Sequence, residues 1–203
     1  MHDRTMDTLL RIARFYDERK VGDLGFLGFR RSSDLTRLVA CLSTLIQKGL
    51  LAPGASSFLD MGCADGRVNV LLSYLTAKSV GIELDEWTLD EYTVLRHELD
   101  GELVREGYPL PPENIFLFHG DTMDPALHER IRLETGLELE DIDLFYTYLT
   151  MQEEFAGLID RKARKGAVFM VYGLERILPR FEGLRLLTPR EPLEGIVALY
   201  QKE

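Results

Sequence analysis

Residues 57–75, SFLDMGCADGRVNVLLSYL, constrain this chain more than any other stretch, because they read as a strand, a tight loop and a helix in immediate succession. Ser57 to Met61 is a short apolar run suited to a buried parallel strand. Gly62 to Gly66 is a turn, and Val68, Leu71, Leu72 and Leu75 then recur at helical spacing. Such a unit places a backbone turn and a helix N-terminus at the carboxyl end of a strand. Glycines without a Cβ let a ligand touch the main chain there, and unpaired helix N–H groups favour an anionic group such as a carboxylate or phosphate.

The rest of the chain repeats this alternation. Leu9, Ile12, Ala13 and Tyr16 predict an amphipathic helix over about 6–20. The glycine-rich run Val21 to Arg31 is expected to form either an ordered loop over a pocket or an ordinary surface crossing. Ser32 or Ser33 is expected to cap a helix carrying Leu35, Leu38, Val39, Leu42, Leu45 and Ile46, which ends near Gly49. Beyond the opening unit, 79–83 is a second strand ending in Glu83. A long helix follows from Trp87 to Leu103, and 114–118 is a third strand. Asp124 and Pro125 start a helix, 142–149 is a fourth strand with a helix marked by Met151, Phe155, Leu158 and Ile159, and 166–172 is a fifth strand. Strands alternating with helices imply a parallel sheet covered on both faces. The last two runs, 184–188 and 195–200, lie too close for a crossover helix and are expected to pair antiparallel.

Glu83 follows Asp60 by 23 residues. An acid at the tip of the neighbouring strand accepts hydrogen bonds from a vicinal diol, which is how folds of this kind grip ribose. The alternative is a solvated glutamate that begins the next helix.

A chain of 203 residues, 45% hydrophobic and 29% charged, suits one α/β domain with a terminal embellishment, divided as an N-terminal extension over 1–54 and a main domain over 55–203. The formal charge of −10 makes a partner held mainly through nucleic-acid backbone improbable. Cys41 and Cys63 lie in no metal-binding spacing and read as free thiols in a reducing cytoplasm. The first twenty residues mix charges throughout, unlike a signal peptide, and no apolar run is long enough to cross a bilayer.

The pattern D-x-G-x-x-D-G from Asp60 to Gly66 resembles the first motif of class I S-adenosylmethionine-dependent methyltransferases. The glycine pattern of dinucleotide-binding folds is matched poorly, since Ala64 and Arg67 stand at its second and third glycines. The resemblance covers about residues 55–203 and implies a three-layer, Rossmann-like α/β sandwich with a mostly parallel seven-stranded sheet, a C-terminal antiparallel hairpin and added N-terminal helices. It implies S-adenosylmethionine as cofactor, with Asp60, Gly62, Cys63, Ala64 and Gly66 around its methionine part. Glu83 would hold the ribose hydroxyls, Leu84 would touch the adenine face, Asp121 would accept from the adenine amino group, and the backbone of Thr122 would meet a ring nitrogen. Ala64 departs from a frequent glycine. A finer similarity, DMGCADGR with Tyr146-Thr-Tyr-Leu149, is to small protein-lysine methyltransferases of this fold.

Methyl transfer of this kind requires no metal, because a sulfonium is already an activated electrophile and the nucleophile need only approach in line. An amine acceptor must arrive deprotonated, which an aromatic, water-poor pocket assists. Tyr146 and Tyr148 are the candidates to line that pocket and orient the amine; as sheet residues they could equally be buried. Phe29, Arg30 or Arg31 is expected near the methionine carboxylate or the substrate entrance, with the N-terminal segment covering the pocket. The acceptor is expected to be an amine, protein lysine before small metabolite, and neither nucleic acid nor membrane. A binding module without catalysis is the rival, and a nicotinamide-dependent oxidoreductase is disfavoured.

Overall fold

The computed structural model describes residues 3–19, 21–25, 28–30, 32–174, 177–188 and 190–203, with the side chains of residue 3 and of both 21–25 and 28–30 left aside. Arg31, and the side chains of Phe29 and Arg30, therefore lie outside the described residues. Helix α1 (Asp3–Asp17) leads into β1 (Val21–Gly25) and β2 (Gly28–Arg30), followed by α2 (Leu35–Gln47). The main alternation is β3 (Ser57–Met61), α3 (Arg67–Ser73), β4 (Lys78–Glu83), α4 (Glu86–Glu106), β5 (Ile115–His119), α5 (Pro125–Thr135), β6 (Leu144–Tyr148), α6 (Gln152–Lys162) and β7 (Val168–Tyr172). Strands β8 (Leu184–Leu186) and β9 (Val197–Lys202) close the chain.

One seven-stranded sheet runs in the order β5-β4-β3-β6-β7-β9-β8. Strands β3 to β7 are parallel, and β9 lies antiparallel between β7 and β8. The strand order reverses between β4-β3 and β6, so the carboxyl ends of these strands open a crevice at that point. Strands β3 and β7 are buried at every position because both faces are covered. Alternate side chains feed two cores. Phe58, Leu144, Tyr146 and Met170 pack with α1, α2 and α3, whereas Leu59, Phe145, Phe169 and Val171 pack with α5 and α6.

Three expectations from the sequence need adjustment. The glycine-rich run is neither a loop nor a plain crossing: β1 and β2 pair antiparallel, with Val21 opposite Arg30 and Gly25 opposite Gly28. A ladder satisfies the backbone groups of both short runs, a gain that single-residue propensity does not register. Helix α2 is capped by Asp34, whose Oδ1 accepts from Arg37 N at 2.9 Å, and Ser33 has other work. Asp17 supports the same helix start, its carboxylate accepting from Leu35 N at 2.8 Å and Thr36 N at 3.0 Å. Helix α3 ends at Ser73, although Leu75 remains buried beyond it.

Candidate cofactor cleft

The turn after β3 is held in a shape that few residues adopt easily. Gly62, Ala64 and Gly66 have φ of 92°, 50° and 71°. A non-glycine residue in the left-handed region costs roughly 1–2 kcal/mol, so Ala64 keeps a glycine's conformation at a price. Gly62 N and Cys63 N both donate to Ile82 O at 2.9 Å, which fastens the turn to the end of β4. A Cβ placed on Gly62 would meet nothing within 4 Å, leaving its backbone open to a ligand. Gly66 differs: a Cβ there would come within 2.8 Å of Leu117 and 3.0 Å of Tyr92. Its missing side chain lets α3 lie close to the sheet.

A cavity of about 290 Å³ opens above this turn, within the size class of small-molecule sites. Asp60, Gly62, Cys63 and Ala64 line it from β3; Glu83 and Leu84 from β4; Asp121 and Thr122 from the turn after β5. Tyr146 and Tyr148 reach it from β6. Of the residues singled out from the sequence, Gly66 is not among its lining and Arg31 lies outside the described residues.

Glu83 is 7% exposed, and its carboxylate spans two backbone donors, accepting from Ala64 N at 2.8 Å on Oε2 and from Asp85 N at 2.9 Å on Oε1. It therefore shapes the turn as well as facing the cavity. Asp121 is exposed, its Oδ1 accepting from Met123 N at 2.8 Å, which holds the turn after β5. Thr122 is buried, and its carbonyl lies 2.7 Å from His128 Nε2.

Asp60 is 1% exposed, and its Oδ1 has no hydrogen-bond partner among the described residues. Burial, with the nearby carboxylates of Glu83 and Asp65 adding to it, pushes the Asp60 carboxyl well above its ordinary range. A buried acceptor in a cavity wall marks where a ligand cation or donor would sit. Burial likewise pushes the Cys63 thiol up, so it stays protonated and is no thiolate nucleophile.

The sequence reading missed Asp65 and Arg67. Both are buried, and the guanidinium clamps the carboxylate through Nε to Oδ1 at 2.9 Å and Nη2 to Oδ2 at 2.7 Å. Arg67 also donates through Nη1 to Tyr16 O at 3.3 Å and lies 5.4 Å from the centre of the Tyr16 ring. Helix α1 is thereby tied to the motif turn. An Asp and an Arg two apart in a turn read from sequence as solvated charges; only the covering helix makes them a buried pair.

The tyrosines divide. Tyr146 is 2% exposed with its hydroxyl paired to that of Ser33, so it stands in the cavity wall with a partner already. Tyr148 is half-buried, its ring stacked on Tyr172 at 5.3 Å between centres. Tyr172 OH accepts from Asp34 N at 2.9 Å, pinning the start of α2 against the sheet. Ser32, Thr150, Met151 and Phe155 complete the wall, and Leu149 and Met151 both have positive φ, 43° and 46°. Ser32, Thr150, Met151 and Phe155 carried no motif by which the sequence would disclose them as cavity residues.

With this geometry established, the fold can be compared with solved structures. The chain resembles yhhF from Escherichia coli, named as a candidate methyltransferase, at TM-score 0.53 and 19% identity over 90% of each chain. It resembles an RNA methyltransferase from Salinibacter ruber, solved with S-adenosyl-L-homocysteine, at 0.50 and 15% identity over 85% of this chain and 92% of that one. A tRNA (m1A58) methyltransferase, TrmI, from Aquifex aeolicus matches at 0.55 and 11% identity over 96% of this chain and 75% of that one. The seven-stranded fold expected from the motif is the fold shared with these proteins. No protein-family model matches the sequence, and no curated protein matches it.

Proposed function

We propose that the protein is an S-adenosylmethionine-dependent methyltransferase acting on an amine by in-line displacement without a metal. One observation carries the reading: Asp60, the open backbone at Gly62, Glu83 and Asp121 converge on one cavity that continues to Tyr148, Met151 and Phe155. The bound cofactor would supply an activated methyl group. Glu83 would accept from its ribose hydroxyls, and Leu84 would cover the adenine. The unpartnered Oδ1 of Asp60 would accept from the ammonium of the methionine end. Methionine at 151 and the rings of Tyr148 and Phe155 give the acceptor end an apolar wall, which disfavours a charged ammonium and so favours the free amine. Tyr146, paired with Ser33, would act as fixed wall and orienting dipole.

Calorimetry with S-adenosylhomocysteine tests the cofactor. Binding near the micromolar range is expected, with no comparable response to NAD. Glu83→Gln removes the charge and keeps only one of the two acceptors of the turn, so it should weaken binding by about 1–3 kcal/mol, with circular dichroism checking that the fold is retained. Tight NAD binding without any response to S-adenosylhomocysteine would refute the reading. Labelled cofactor incubated with lysate split into protein, nucleic acid and small molecules then tests the acceptor; label confined to nucleic acid or to small molecules would overturn protein lysine.

A further inference from the structure

The start of α4 carries apolar side chains that the fold leaves in solvent beside the cleft. Leu84 lines the cavity and is 69% exposed, Trp87 one turn along is 85% exposed, and Val94, two turns further on the same side of α4, is 62% exposed. On the opposite rim Leu149 and Met151 are 41% and 43% exposed. Isolated apolar residues on a surface need no explanation, but a tryptophan left in solvent three residues from a cavity-lining leucine does. The carboxylates around it are exposed too: Glu86 beside Trp87, Asp90 one turn on, and Asp121 in the wall next to Leu84.

We propose that this face docks a basic polypeptide segment that lays an apolar side chain on Trp87 and its cations against Glu86 and Asp90. The proposal rests on the amine-acceptor reading and names what carries the amine. Charge selects the occupant. The chain has a formal charge of −10, and the patch adds acids of its own. A second copy would bring those acids face to face, and the phosphates of RNA would be repelled, whereas lysines of a polypeptide are attracted and steered toward the cleft. Aromatic side chains anchor such contacts through their area and their attraction for cations.

Trp87 is the single tryptophan of the chain, so its fluorescence reports on this patch alone. The full chain, saturated with S-adenosylhomocysteine, is titrated with a peptide of alternating lysine and leucine, with the same peptide carrying glutamate for lysine, and with a single-stranded RNA oligonucleotide. A blue shift with the lysine peptide only is expected, together with a loss of affinity of about fivefold in Asp90→Lys, a rim charge worth little to the fold. Trp87→Ala, followed through a labelled lysine peptide, should weaken binding while S-adenosylhomocysteine binding stays unchanged. The proposal is overturned by no shift with the lysine peptide, by an equal shift with the glutamate peptide or RNA, by an Asp90→Lys protein that binds as well as the parent, or by a shift that depends on protein concentration alone, which would assign the patch to a second copy. Failure here with intact S-adenosylhomocysteine binding removes the docking surface only; failure of both removes the methyltransferase reading as well.

Discussion

Replacing Arg67 by methionine should cost this protein far more than removing an arginine from its surface. Asp65 is 0% exposed and Arg67 2%, and the carboxylate receives three guanidinium contacts, at 2.9, 3.2 and 2.7 Å, plus one from Arg67 N at 3.2 Å. Methionine fills much of the same volume but leaves a buried charge with, among the described residues, one weak backbone donor. Breaking such a pair from one side costs about 3–5 kcal/mol, because desolvation is no longer compensated. For a chain of this size that corresponds to a fall in Tm of about 6–20 °C. Arg132 supplies the internal control: its pair with Glu129 leaves the two side chains 43% and 55% exposed, so solvent screens it and Arg132→Met should leave stability nearly unchanged. The double variant Asp65→Asn with Arg67→Met removes the stranded charge and should regain part of the loss. Urea unfolding and calorimetry measure all four proteins. A loss below about 1 kcal/mol in Arg67→Met, or a double variant no better than the single one, would mean that the pair is not what locks α1 onto the motif turn.

Two further outcomes follow from the same turn. Asp60 has a folded-state pKa raised above its unfolded value of about 4, so its effect on stability is favourable below that value and is lost as pH rises toward the raised pKa; Asp60→Asn should therefore raise the Tm of the free protein at pH 7 and above, with an advantage that shrinks as the pH approaches 4, while weakening S-adenosylhomocysteine binding. A pH-independent difference in Tm would contradict the buried, unpartnered carboxylate. Ala64→Gly should be stabilising by about 0.5–1 kcal/mol, the relief of a left-handed alanine less the added chain entropy of glycine, and denaturant midpoints decide it; a destabilised variant would show that the methyl group makes a contact worth more than its strain.

What the sequence determined by itself is what repeats along it. Apolar runs of strand length alternate with helical periodicity, and that alternation, with two closing runs too near for a crossover, implied the parallel sheet and its antiparallel edge; the structure shows both. Asp60, Glu83 and Asp121 were legible because the motif resemblance singled them out, and all three lie at or just beyond the carboxyl ends of parallel strands, which meet at a switch in strand order. Tertiary structure decided what local spacing cannot carry. Asp65 and Arg67 become a buried clamp only because Tyr16, some fifty residues earlier, covers them. Ser33 leaves its capping role because Tyr146, distant in sequence, offers its hydroxyl, and Asp34 takes the cap instead. The pairing of β1 with β2 has no periodicity to betray it, since ladder hydrogen bonds use backbone that every sequence shares. Whether Tyr146 is wall and Tyr148 is rim was likewise open until the helices packed, because residues two apart on a strand share a face, and how deeply each is covered depends on what packs over the strand end.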